Sequence, residues 1–150
     1  MISIVSGPAY VGKTYFMENK RERLLEIAQL ESVDAKFFTS ADWYDMRLWT
    51  DVMWEDGSKF GCIHIRLPST QAAYMKKFKS VFILGVPYSE YKVRRGKRNT
   101  DIGKFPCEKL LETYRMWIDE LTKYEIPYKF VEAIGDYEVL EEEEFFRMIK

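Results

Sequence analysis

The first fourteen residues, MISIVSGPAYVGKT, constrain the fold more than any other stretch of this chain. Ile2, Ile4 and Val5 form the short apolar run that a buried strand needs. Gly7 and Gly12 follow with four residues between them, and Lys13 and Thr14 come next. The result is G-x-x-x-x-G-K-[ST] between a strand and a helix, the spacing of a phosphate-binding loop. The two glycines permit backbone angles and a close approach that a side chain would block. The loop amides then face phosphate oxygens, backed by the positive end of the next helix. Lys13 adds a point charge for the outer phosphates, and the Thr14 hydroxyl is a ligand for Mg2+. Gly7, Pro8, Ala9, Tyr10, Val11, Gly12, Lys13, Thr14 and Tyr15 are therefore the candidate triphosphate-binding residues. An accidental glycine turn is the competing reading. The strand before the loop and the lack of a helix breaker after it favour the phosphate loop.

At 150 residues the chain suits one domain with a real core. Its net charge of −1 excludes the global basic field of a general nucleic-acid binder, so attraction for phosphate must be local. Cys62 and Cys107 form no C-x-x-C pair and His64 is the one histidine, which argues against a zinc site. Unpaired thiols suit a reducing compartment. The N-terminus has no charged region of the signal-peptide kind, and no segment is long enough to span a membrane. The expectation is a cytoplasmic protein with no membrane partner.

Along the chain, a helix is expected over about residues 13–30, with Met17, Leu24, Leu25 and Ala28 near one face. Residues 35–39 (AKFFT) read as a second strand, ending in Ser40-Ala41-Asp42. Residues 42–55 carry Trp43, Tyr44, Trp49 and Trp54 at helical spacing, and a helix is expected there. Residues 60–67 alternate like a third strand, and 69–78 suit a short helix. VFILGV, residues 81–86, is the most strand-like run and should be central and buried. A short helix from about Ser89 carries Lys92, Arg94, Arg95, Lys97 and Arg98, and a polar stretch lies between Gly96 and Gly103. Pro106 suits the first turn of a long helix to about residue 124, with Leu110, Leu111, Tyr114, Trp117, Ile118 and Leu121 on one face. Residues 128–134 form the fifth strand. The last helix should bury Val139, Leu140, Phe146 and Ile149, leaving the run 141–144 as a solvated face. Strands alternating with helices imply an α/β fold: a parallel sheet covered on both faces, with ligands at the carboxyl ends of its strands.

The basic cluster is the second chemical signal. Phosphoryl transfer spreads charge over several oxygens, and arginines on a closing flap would stabilise it while excluding water. Arg94, Arg95 and Arg98 suit that task. A solvated cationic helix end is the bland alternative, and the phosphate loop tips the balance toward function. The aromatic stretch from Trp43 either packs in the core or stacks a base.

The loop, the run VFILGVPYSEYKVRRGKR and a long helix carrying Glu112 and Tyr114-Arg115 resemble the P-loop kinases of nucleosides and nucleotides. Thymidylate and other nucleoside monophosphate kinases are similar in layout, with the kinase domain of polynucleotide kinase nearby. The resemblance implies a three-layer P-loop fold with a five-stranded parallel sheet, one domain over residues 1–150 and an arginine-bearing lid over about 88–106. It implies ATP and Mg2+ as cofactors, Lys13 on the outer phosphates, Arg94, Arg95 and Arg98 as lid arginines, and Arg115 as a further phosphate contact. The turn at 133–136 would lie by the donor base. Asp42 matches the aspartate that serves as base in the hydroxyl kinases; it reads equally as a helix N-cap. Arg47 either holds an acceptor phosphate or faces solvent.

The third strand departs from the family pattern. FGCIHIRLPS holds no acidic residue for the Mg2+ shell. Arg66 becomes a candidate for the acceptor phosphate, and His64 reads as a packed strand residue. Trp43, Arg47, Arg66 and Arg115 complete the candidate substrate set. The expected reaction is transfer of the γ-phosphate of ATP to a (deoxy)nucleoside monophosphate. A nucleoside or polynucleotide 5′-hydroxyl is the alternative acceptor, and a P-loop NTPase without an acceptor is the rival from another class. Nucleic acid ranks behind a small nucleotide as partner, and both monomer and homodimer remain open.

Overall fold

The computed structural model describes residues 2–8, 10–28, 37–39, 50–53, 59–64, 78–97, 106–123 and 125–150. Its strands are β1 (Ile2–Ser6), β2 (Phe37–Thr39), β3 (Thr50–Met53), β4 (Lys59–His64), β5 (Phe78–Gly85), β6 (Tyr128–Glu132) and β7 (Val139–Leu140). Its helices are α1 (Lys13–Asn19), α2 (Arg21–Ala28), α3 (Tyr88–Gly96), α4 (Cys107–Lys123) and α5 (Glu142–Ile149).

The main sheet is open and mostly parallel, in the order β2-β1-β5-β6, with the short β7 antiparallel on the far edge of β6. β5 is central because its apolar run tolerates cover on both faces: Val81, Phe82, Ile83 and Leu84 are all fully buried. One face of the sheet is covered by α4 and α5. Tyr114 of α4 meets Phe145 of α5 edge-on at 5.3 Å, and Phe145 stacks on Phe130 of β6 at 4.5 Å. The other face carries α2, whose Ile27 carbonyl accepts from Lys129 Nζ of β6 at 3.1 Å. The apolar stripe expected on α4 is buried as read, from Leu110 to Leu121. From β1 the chain moves outward to β2, and it later returns past β1 to enter β5 on the other side. That strand order places a crevice at the carboxyl ends of β1 and β5.

Four expectations are corrected. Residues 60–67 were expected as a strand of the parallel sheet; instead β4 pairs antiparallel with β3 in a separate two-stranded ribbon, His64 opposite Thr50. The period-2 alternation of this segment suits an antiparallel ribbon better than a strand buried on both faces. Of the helix expected over 42–55, Thr50–Met53 is a strand, with β-branched Thr50 and Val52 alternating, and the rest lies outside the described residues. The first helix is two, α1 and α2, broken at Lys20 (φ −125°). The break lets Phe16 stack on Tyr137 at 4.7 Å while Arg23 Nε donates to the Tyr137 carbonyl at 3.1 Å. Val139, expected in a helix and buried, is an exposed residue of β7. Most of the helix expected over 69–78 lies outside the described residues, and its last residue, Phe78, opens β5. No helix among the described residues is long and apolar enough to cross a membrane.

Candidate phosphate-binding site

The chain leaves β1 at Ser6 and turns immediately. Gly7 has φ +150°, and a Cβ there would meet Val11 Cγ1 at 2.9 Å and the Leu84 carbonyl oxygen at 3.0 Å. The loop backbone therefore sits directly on β5, and only glycine fits. The Val11 N–H donates to the Pro8 carbonyl at 3.2 Å, closing the turn. Tyr10 takes a left-handed φ of 71°, an uncommon conformation for a bulky residue. Gly12, at φ +101°, delivers the chain into α1.

Lys13 folds back across the loop. Its Nζ donates to the carbonyls of Gly7 at 2.9 Å and Pro8 at 3.1 Å. Thr14 and Tyr15 are exposed at the start of α1.

Two of the three expected flap arginines, Arg94 and Arg95, lie against this loop, on the short helix expected to carry them, α3. Arg94 Nη1 donates to the Val11 carbonyl at 2.7 Å, Nη2 to the Ala133 carbonyl at 3.2 Å, and Nε to Glu90 Oε1 at 3.0 Å. Arg95 is 5% exposed. It donates from Nη1 to the Tyr91 hydroxyl at 3.2 Å and lies over the Tyr10 ring, 5.6 Å from its centroid. The turn after β6 closes the group: the Ala133 N–H donates to the Gly85 carbonyl at 2.8 Å, and Lys20 lies over the Tyr137 ring. The loop, the arginine helix and the 133–137 turn thus converge at the carboxyl ends of β1, β5 and β6, as the alternation of elements required.

Arg115 is placed elsewhere, exposed on α4 with its guanidinium 5.2 Å from the Phe146 ring of α5. Ala9, Asp42, Trp43, Arg47, Arg66 and Arg98 lie outside the described residues. Glu90 and Tyr91 belong to the site and were not read from the sequence. Glu90–Arg94 and Tyr91–Arg95 are both i,i+4 pairs, a spacing that could have found them. Nothing in the sequence marks Tyr137 as a left-handed residue. Among the described residues no three His, Cys, Asp or Glu side chains could together hold a metal ion.

Burial pushes the Tyr91 hydroxyl up to about 12, against the opposing charge and hydrogen bond of Arg95. Burial also holds Tyr114 well above the usual phenol value; its hydroxyl donates to the Leu84 carbonyl at 2.7 Å. Both phenols keep their protons to higher pH in the fold than in the unfolded chain. For Tyr91 the stability this represents is complete below pH 10.0 and is lost as pH rises toward about 12, where the unfolded chain binds fewer protons than the native one. Denaturation midpoints should fall across that window, and Tyr91→Phe should flatten the fall. An unchanged slope in that variant would contradict a buried Tyr91.

Comparison with known proteins finds no matching family model, no matching curated protein and no matching solved structure.

Proposed function

We propose that this protein is an ATP-dependent phosphotransferase that uses Mg2+ and moves the γ-phosphate to a (deoxy)nucleoside monophosphate. The observation that carries the reading is the loop after β1. Its turn is built on three positive-φ residues, Lys13 lies across it, and Arg94 and Arg95 pack against it. On triphosphate binding, Lys13 would exchange the Gly7 and Pro8 carbonyls for the outer phosphates. Charge developing on the transferring phosphoryl group would then meet Lys13 and the loop amides, within the field of the arginine cluster. Mg2+, a hard cation taking oxygen ligands, would draw on the exposed Thr14 hydroxyl.

A monophosphate acceptor is already anionic and needs no strong base; a hydroxyl acceptor does. β2 lies beside β1 with Thr39 level with Val5, and Asp42 follows Thr39 by three residues in sequence. That order keeps Asp42 a candidate for orienting the acceptor or helping the metal. Asp42→Asn is expected to bind ATP normally and to transfer phosphate to a monophosphate with only a mild defect. Near-total loss of transfer to a hydroxyl, with ATP binding intact, would instead identify a nucleoside or polynucleotide 5′-hydroxyl kinase.

One observation favours a second reading, a triphosphate-binding module or NTPase with no acceptor. Arg94 and Arg95 are bonded into the fold, where a phosphoryl-transfer lid needs arginines that close on the substrate. The two readings separate by product analysis with labelled ATP over deoxynucleosides, monophosphates and 5′-hydroxyl oligonucleotides. Label recovered in a monophosphate acceptor supports the kinase, and label recovered only as free phosphate overturns it.

A further inference from the structure

We infer that Arg94 is a positioning residue that presets the phosphate loop, rather than an arginine that closes onto the substrate's outer phosphates. The inference rests on the triphosphate-binding reading and assigns a role inside that site. Arg94 bridges three segments distant in sequence. Nη1 holds the Val11 carbonyl in the loop, Nη2 holds the Ala133 carbonyl in the turn after β6, and Nε is held by Glu90 one helical turn back. The guanidinium also lies near the next residue of the loop: a Cβ added to Gly12 would stand 3.4 Å from Nη1.

Peptide geometry gives this bridge a consequence at the site. The Val11–Gly12 peptide is trans, as are the other peptides among the described residues. In a planar trans unit the carbonyl and the amide N–H point in opposite directions. Drawing the Val11 oxygen onto Arg94 therefore turns the Gly12 N–H away from α3. Gly12 can hold that orientation because its φ of +101° costs glycine little. The Val11 N–H is already taken by the Pro8 carbonyl, which leaves the Gly12 amide as the group the bridge aims. An anion seated in the loop then meets a donor that needs no reorientation. A point charge cannot do this work. Two carbonyls and a carboxylate at three different nitrogens require the planar fork of arginine, which lysine lacks.

The test uses the full chain with Arg94→Lys and Arg94→Met. Two measurements are made: amide hydrogen exchange without nucleotide, and affinity for ATP and ADP by calorimetry. A positioning role predicts faster exchange confined to residues 10–14 and 133–135, and ATP and ADP both weakened about tenfold, in Lys and Met variants alike. Glu90→Gln should move the same amides to a smaller extent. ATP weakened with ADP spared and unchanged exchange in the nucleotide-free protein would overturn the inference, because Arg94 would then contact the outer phosphates. Wild-type affinity in Arg94→Lys would overturn it too, since charge alone would suffice. Faster exchange throughout β5 and β6 would make the residue merely structural. If Arg94→Met binds both nucleotides as wild type does, only this inference falls. If the wild-type protein binds neither, the triphosphate reading falls and takes the inference with it.

Discussion

Lys13→Ala is expected to lower ATP affinity and phosphate transfer by about 10²–10³-fold, the scale of losing one preorganised donor from a charge-stabilising site. Thermal stability should change little. The Lys13 ammonium is part-buried and donates to the Gly7 and Pro8 carbonyls of its own loop, at 2.9 and 3.1 Å. Both carbonyls belong to the turn at the carboxyl end of β1, and the net worth of each bond is about 1 kcal/mol, small beside the expected change in affinity. Titration calorimetry and thermal denaturation on one preparation separate the two effects. An alanine variant with undiminished ATP affinity would remove the phosphate assignment of the loop. A variant that unfolds would show the ammonium to be a structural tie.

Gly85→Ala should destabilise the protein sharply. Gly85 ends β5, and nothing in its backbone conformation demands glycine. The demand is steric. A Cβ there would stand 2.5 Å from both Cε2 and Cζ of Phe145 and 3.4 Å from Ile149 Cδ1. Phe145 cannot step aside: it stacks on Phe130 at 4.5 Å and meets Tyr114 and Phe146 edge-on at 5.3 and 5.8 Å. Relief requires α5 to lift from the sheet, at a cost of about 1–3 kcal/mol or more. The denaturant midpoint should fall accordingly. Adding Phe145→Leu should recover part of the loss, so that the double variant is less destabilised than the sum of the singles. Strict additivity would mean that the two residues do not touch.

The two variants probe features of different legibility. Lys13 was marked by a motif whose residue types and spacing follow from the chemistry of binding phosphate, and the loop stands where the motif placed it. Gly85 lay inside the run VFILGV, where its neighbours announced a central strand and nothing announced the aromatic ring across from it. The arginines fall between these cases. A cluster of cations after a central strand signals anion chemistry, but composition does not say which cation is bound inward and which is left to a ligand. Arg94 finds its carbonyl partners 83 and 39 residues away in sequence, beyond the reach of any local pattern. The segment around Val52 and Phe60 was misread for a related reason. Aromatic density at helical spacing and a strand-like alternation were both present, and pairing with a neighbour decided between them.

By itself the sequence determined the glycine turn after β1, the buried central strand, the apolar stripe of α4 and the α/β alternation that brings loop ends together. These are periodicities and short-range spacings, set by burial and by what a backbone turn tolerates. Tertiary structure alone decided that Lys59–His64 joins an antiparallel ribbon outside the main sheet, that Arg94 ties the loop to the turn after β6, and that Phe145 reserves the space above Gly85. The physical reason is common to all three. Burial period is written into a segment's own residues, whereas the partner of a strand edge, a guanidinium or a ring is whatever the rest of the chain brings to it.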